Sequence, residues 1–198
     1  MLQVEEANDV YGRLNYMQQA DGRHKRKKQK RKGSKYQILE TQNVRGFARD
    51  TRRMWMESWR RVPVKERPAA WMIQETYVSS LEEAEDLEKQ WRRIWGNQNR
   101  KNGPQLSYWS VESSKTAGVA ILLNPEVAEK TKPWQQQLWT KRNIMVEMED
   151  TLLVNLYAPN TQEQREEMFE QLSSWTWKDN KIILGGILTV CKALLWID

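Results

Sequence analysis

The stretch Asn143-Ile144-Met145-Val146-Glu147-Met148-Glu149-Asp150-Thr151-Leu152-Leu153-Val154-Asn155-Leu156-Tyr157 carries the reading of the fold. Two apolar runs, Asn143 to Glu147 and Thr151 to Tyr157, flank Glu149-Asp150, which suits a hairpin turn. Such a hairpin has no place in a helix bundle. Outward from it the texture alternates. Glu163 to Trp175 is predicted helical with Met168, Phe169, Leu172 and Trp175 inward, and Lys181 to Leu184 is a buried strand. On the N-terminal side, strands are expected near Ser107 to Val111 and Ala117 to Leu123, beyond a polar loop from Asn97 to Gln105. Ser80 to Trp95 is the best-defined helix. Ser80 and Glu83 form a capping-box pattern, and Leu81, Ala84, Leu87, Trp91, Ile94 and Trp95 fall on one stripe. Glu85–Lys89 and Glu88–Arg92 are spaced as i,i+4 ion pairs, and Gly96 closes the helix. Further back come a strand (Ala69 to Gln74), a helix ended by Pro63 (Phe47 to Val62, with Ala48, Trp55, Trp59 and Val62 on one face) and a strand (Tyr36 to Gln42). Strands and helices in this mixture argue for an α+β or layered α/β domain rather than a bundle or an all-β sandwich.

The chain has 198 residues, enough for one domain with a real core. It is 39% hydrophobic and 29% charged, ordinary for a globular protein. No apolar stretch approaches the roughly 20 residues of a membrane span, and the polar, acidic N-terminus does not read as a signal peptide. The single cysteine, Cys191, excludes an internal disulfide and suits a reducing compartment. With one histidine beside it, a Cys/His zinc site is excluded too, which leaves hard cations held by oxygen.

The net charge is +6, but it is unevenly placed. Arg23 to Lys32 holds eight cations and no anion; without them 24 basic residues face 26 acidic ones, a net of −2. Residues 1 to 35 are predicted to be a disordered basic tail. Its cations Arg26, Lys27, Lys28, Lys30, Arg31 and Lys32 suit non-specific DNA phosphate contact or nuclear import, or else form a solvated linker. The expected location is nuclear, otherwise cytoplasmic. Most of the 11 tryptophans have the spacing of core residues, although a few on the surface could stack on bases.

Three strand ends carry polar groups that a core strand does not need. Asn43 follows the first strand, Glu75 directly follows the buried Ala69 to Gln74 run, and Tyr157 and Asn160 close the hairpin's second strand. A carboxylate held rigidly at a sheet edge suits Mg²⁺, which typically takes one or two carboxylates plus substrate phosphate. Taken singly, Glu75 also fits an ordinary loop carboxylate and Asn43 a turn residue, while Asn160 and Glu163 fit helix-capping partners.

As an ordered set, Gln42-Asn43-Val44-Arg45-Gly46, Ile73-Gln74-Glu75-Thr76, Ala117-Gly118-Val119-Ala120-Ile121-Leu122 and Asn155-Leu156-Tyr157-Ala158-Pro159-Asn160 resemble one family. They match the endonuclease domain of LINE-type (non-LTR) retrotransposons, of the endonuclease/exonuclease/phosphatase superfamily, which is similar to the apurinic/apyrimidinic endonucleases. The resemblance runs from Tyr36 to Gly186. It implies a sandwich of two mixed sheets flanked by helices, incomplete here, and Mg²⁺-dependent hydrolysis of DNA with no small-molecule cofactor and no membrane partner. By the same resemblance Asn43 and Glu75 lie at the metal and phosphate, and Tyr157 and Asn160 contact the phosphate.

The pattern breaks after Gly186. The family's Gly-Gly-Asp-Phe-Asn is replaced by Gly185-Gly186-Ile187-Leu188-Thr189, and the family's later Asp-His motif is missing; His24 lies in the basic tail. The codons GAT TTT AAC for Asp-Phe-Asn, less their first base, read ATT TTA AC, which is Ile-Leu-Thr. Residues 187 to 198 are therefore expected to be an out-of-frame tail, the alternative being divergence after selection was lost. The nucleotide sequence across codon 186 decides between them. Two expectations follow: a catalytically impaired endonuclease domain, or a non-catalytic DNA-binding remnant acting through its tail. Loss of later strands would also leave the apolar Ile182 to Leu188 at an unpaired edge, inviting self-association.

Overall fold

The computed structural model describes residues 38–46, 49–96, 103–111, 117–177, 181–188, 191–192 and 195–197. The basic tail, with Arg26, Lys27, Lys28, Lys30, Arg31 and Lys32, and the expected helix residues Phe47 and Ala48 lie outside them.

Strand β1 (Leu39–Asn43) leads through helix α1 (Arg49–Arg61) to β2 (Ala70–Gln74), and the two strands pair in parallel. Helix α2 (Leu81–Ile94) follows, then β3 (Ser107–Trp109) and β4 (Val119–Leu123). These strands form one mixed sheet in the order β1-β2-β4-β3. The short helix α3 (Pro125–Ala128) and β5 (Thr131–Pro133) lead to β6 (Asn143–Met148) and β7 (Thr151–Tyr157), which form the expected hairpin with a turn at Glu149-Asp150. Helix α4 (Gln162–Ser173) returns the chain to β8 (Lys181–Leu188), parallel to β7. With β9 (Cys191–Lys192) and β10 (Leu195–Ile197) these make a second mixed sheet, ordered β10-β8-β7-β6-β5, with β9 also on β8. The α+β expectation is met. The two sheets lie against each other, β2 and β4 facing β7, β4 also facing β6, and β1 and β2 facing β8.

Alternation along the strands explains this layering. On β7, Leu153 and Asn155 face the other sheet, while Leu152, Val154 and Leu156 join Trp134, Met145, Trp175 and Ile182 on the outer side. On β2, Met72 and Gln74 face inward, and Trp71 meets the helices on the opposite face. There Trp55, Trp59, Trp71, Trp91 and Trp95 form a continuous cluster: Trp71–Trp91 are edge-to-face at 4.9 Å and Trp55–Trp91 are stacked at 6.0 Å. Trp91 Nε1 donates to Leu123 O at 2.9 Å, which keeps its polar atom satisfied in the interior. Among the described residues no helix is long and apolar enough to cross a membrane.

Several local expectations are corrected. Ser80 accepts from Glu83 N (3.1 Å), but the Glu83 carboxylate reaches back to Ser79 N (3.1 Å), one residue beyond the capping-box position. The Glu88–Arg92 pair forms at 2.7 Å, whereas Lys89 pairs with Asp86 at 2.9 Å instead of Glu85. Leu81 is 72% exposed because side chains lean toward a helix's N-terminus, and at the first turn that carries it past the sheet. Phe169 is exposed as well: the residues that join this part of the chain to the outer core are Leu172, Trp175 and Trp177, at and beyond the C-terminal end of α4. Asn160 does not cap α4; the cap position is Thr161, without a side-chain bond. The last strand is longer than expected and contains Gly185-Gly186. Its outer edge is not unpaired, because Leu195, Trp196 and Ile197 pair with Leu184, Ile183 and Ile182. The sheet edge lies at β10 instead of β8. The short β5 and the 3-10 turn at Gln136–Leu138 have no apolar periodicity to announce them.

Candidate functional site

Three strand ends from the two sheets meet at one rim. Asn43 ends β1 and is the register partner of Gln74, so Glu75 emerges one step beyond it. Tyr157 ends β7 in the facing sheet. Asn43 Nδ2 donates to Glu75 Oε1 at 2.6 Å, and Tyr157 OH donates to the same oxygen at 2.8 Å. Glu75 Oε2 accepts from Tyr77 OH at 3.1 Å. Among the described residues, then, the donors on this carboxylate are Asn43, Tyr77 and Tyr157, all neutral. Asn160 is not one of them. It is exposed at the end of the turn, and its main-chain O accepts from Arg165 Nη1 at 2.7 Å.

The backbone at this rim is unusual. Arg45 (φ 48°), Glu75 (φ 58°), Tyr77 (φ 53°) and Ala117 (φ 65°) are left-handed without being glycine, next to the left-handed Gly46 and Gly118. They are bonded to one another: Gly46 N to Glu75 O at 2.7 Å, Thr76 N to Gly118 O at 3.1 Å and Tyr77 N to Ala117 O at 3.2 Å. Gly118 is required twice over, since a Cβ there would lie 2.5 Å from Thr76 Oγ1 as well as being strained by its φ of +93°. Each left-handed non-glycine residue costs roughly 1–3 kcal/mol, and such residues cluster where function requires them.

The electrostatics follow from the contacts. Partial burial of Glu75 would raise its pKa, but the bonds from Asn43, Tyr157 and Tyr77 and the charge of Arg45 outweigh it, and the carboxyl is held below its ordinary value. Tyr157 is pushed up to about 12, by burial first and then by its bond to Glu75 and the carboxylate's charge. Tyr77 is raised for the same reasons. Two cations flank the group. Arg45 is exposed beside it, its N–H bonded to Asn43 Oδ1 at 2.8 Å. Arg142 lies with its guanidinium 5.3 Å from the Tyr157 ring centroid and donates to Tyr157 O at 3.3 Å.

A carboxylate offers roughly four lone-pair directions. Three are used here, so Glu75 can give one oxygen to a hard cation that takes its other ligands from water and phosphate. Among the described residues no group of three His, Cys, Asp or Glu could enclose a metal. The donor set thus fits an open, single-carboxylate seat and not a closed cage. Beside it, the register partner of Tyr157 on β8 is Ile187, which adds no second carboxylate.

Asn43, Glu75 and Tyr157, singled out from the sequence, come together; Asn160 does not join them on the carboxylate. Tyr77 and Arg142 were missed. Tyr77 carried a weak signal, standing two residues past Glu75, whereas Arg142 carried none, because hairpin closure alone brings it to Tyr157. Comparison of the chain with protein-family models and with curated proteins finds no match.

Proposed function

We propose that the folded body is the N-terminal part of a DNA phosphodiesterase domain of the endonuclease/exonuclease/phosphatase superfamily, LINE retrotransposon type, and that this chain is catalytically impaired. The observation that carries the reading is the convergence of Asn43, Glu75 and Tyr157, from two facing sheets, on one carboxylate. The left-handed residues around it and the flanking Arg45 and Arg142 add support, since a phosphodiester needs cations nearby.

In this reading Glu75 and Asn43 would hold Mg²⁺, whose chemistry when bound would be to polarise a phosphoryl oxygen and stabilise the leaving oxygen. Tyr157, whose phenol is kept protonated to about pH 12, would turn its one O–H from Glu75 to the phosphate. Arg45 and Arg142 bind the phosphate backbone, and Asn160 contacts it from the turn after β7. The cations Arg26 to Lys32 add sequence-independent DNA contact and direct the chain to the nucleus. On β8 the register partner of Tyr157 is Ile187, which has no group to take a proton from an attacking water. This same observation favours a second reading, a module that binds DNA without cutting it.

Nicking of supercoiled plasmid with Mg²⁺ tests both. The comparison uses this chain, Glu75→Ala and a frame-restored, full-length counterpart. The restored protein is expected to nick in a Glu75-dependent way, and this chain to be slower by at least about 10² to 10³, as loss of one transition-state group typically costs that much. Robust Glu75-dependent nicking by this chain would overturn the impairment, and a restored protein indifferent to Glu75 would overturn the enzyme reading. Salt-sensitive binding by this chain, lost when residues 23 to 32 are deleted, would support the binding module.

A further inference from the structure

We infer that Asn155 and Gln74 are a positioning pair, a buried amide tether between the two sheets that sets the reach of Tyr157 to the Glu75 carboxylate. The inference rests on the reading of Glu75 and Tyr157 as site residues.

The problem it solves is geometric. Asn43 and Glu75 belong to one sheet and Tyr157 to the other, so their meeting depends on the offset between the sheets. Apolar packing holds sheets together, but it is non-directional and does not set that offset finely. An O–H···O bond, at 2.8 Å here, weakens steeply when misplaced.

Asn155 is fully buried and lies two residues before Tyr157, on the same face of β7. Its Nδ2 donates both hydrogens across the interior, to Ile73 O at 2.9 Å on β2 and to Ala120 O at 2.8 Å on β4. Its Oδ1 accepts from Gln74 Nε2 at 2.7 Å. Gln74, also fully buried, immediately precedes Glu75. Its Nε2 is within bonding distance of Thr41 Oγ1 (3.1 Å) and Met72 O (3.0 Å) as well, so its two hydrogens are shared among three acceptors. Thr41 stands two residues before Asn43. Each strand that delivers a site residue is therefore gripped one or two residues below it. Apolar side chains could fill the same space. The Asn155 amide has its oxygen and both hydrogens bonded, and it can have them so only at this offset; its bonds thereby select the offset, although Gln74 Oε1 finds no partner among the described residues.

A triple-mutant cycle tests the tether without DNA, metal or activity. The coupling between Tyr157→Phe and Glu75→Ala is read from urea unfolding, first in the native background and then with Asn155→Ala. The expected coupling in the native background is about fivefold or more in the unfolding equilibrium constant, as for contacting residues. With Asn155→Ala it is expected to fall to within about twofold of none. Gln74→Met, which keeps the Asn155 bonds to Ile73 and Ala120, is expected to retain part of it. Undiminished coupling in either folded variant overturns the proposal, as does a lack of coupling in the native background. If neither variant unfolds cooperatively, the pair is a stability element alone and the positioning role is rejected. A frame-restored protein whose nicking is indifferent to Glu75, beside an intact coupling pattern, would remove the enzyme reading and leave the tether; Glu75-dependent nicking by it beside an undiminished coupling would remove only the tether.

Discussion

The two ends of β2 are built on opposite terms. Along its outer face, Trp71 sits among Trp59, Trp91 and Trp95 under α1 and α2, nearly every apolar atom is buried, and the backbone is regular. One step past its C-terminal end, Glu75 is left-handed, half-buried and charged, with neutral donors around it and Arg45, Tyr77 and Ala117 strained beside it. The tryptophan face is close-packed on a regular backbone, although the indole N–H groups of Trp59, Trp71 and Trp95 find no partner there. The rim departs from backbone preference at Arg45, Glu75, Tyr77 and Ala117 together, a pattern common at functional sites.

Trp91→Ala has the largest expected effect, about 3–5 kcal/mol of lost stability by urea unfolding, because it removes a fully buried indole in contact with Trp55, Trp71 and Trp95. A loss under about 1 kcal/mol would show that the face is not close-packed and would end the contrast. Arg45→Gly tests the other side and should have the opposite sign. Arg45 is exposed with φ 48°, so glycine is expected to stabilise the fold by about 1 kcal/mol while removing a cation from the rim. A destabilised variant would mean that the rim is not strained there.

The smallest effects are in the pH dependence, measured in Mg²⁺-free buffer. Glu75 is held below its ordinary 4.5, so its contribution to stability is present above that value and lost as pH falls through the lowered one. Tyr157 is raised from 10.0 to about 12, so its contribution is present below pH 10 and lost as pH rises toward 12. Glu75→Gln should flatten the acid limb of the stability profile and Tyr157→Phe the alkaline limb. Profiles for both variants that run parallel to the native one would show that the bonds to the carboxylate do not form in solution.

The sequence makes some of this legible and hides the rest for identifiable reasons. Ser80 as a helix cap and Glu88–Arg92 as a pair are set by neighbours within four residues, and both form. The inward placing of Leu81 and Phe169 failed because periodicity tells which face of a helix is apolar, not where the surface beneath it ends. Asn43, Glu75 and Tyr157 were found through ordered motifs. Tyr77, Arg142 and the Gln74–Asn155 tether were not, since each depends on a partner brought in by another strand or turn. The edge expected along Ile182 to Leu188 depended on what would pair with it, and β10 does so.

The sequence by itself determined the succession of strands and helices, the hairpin at Glu149-Asp150, the uneven placing of positive charge and the polar residues waiting at strand ends. Those features follow from local backbone preferences and side-chain period. Tertiary structure alone decided that three of those strand ends share one carboxylate, that the chain bends left-handed to present it, and that two buried amides bridge the sheets beneath it. The physical reason is distance along the chain: Asn43, Glu75 and Tyr157 are separated by 32 and 82 residues, and only the packing of one sheet on the other brings them within hydrogen-bond reach.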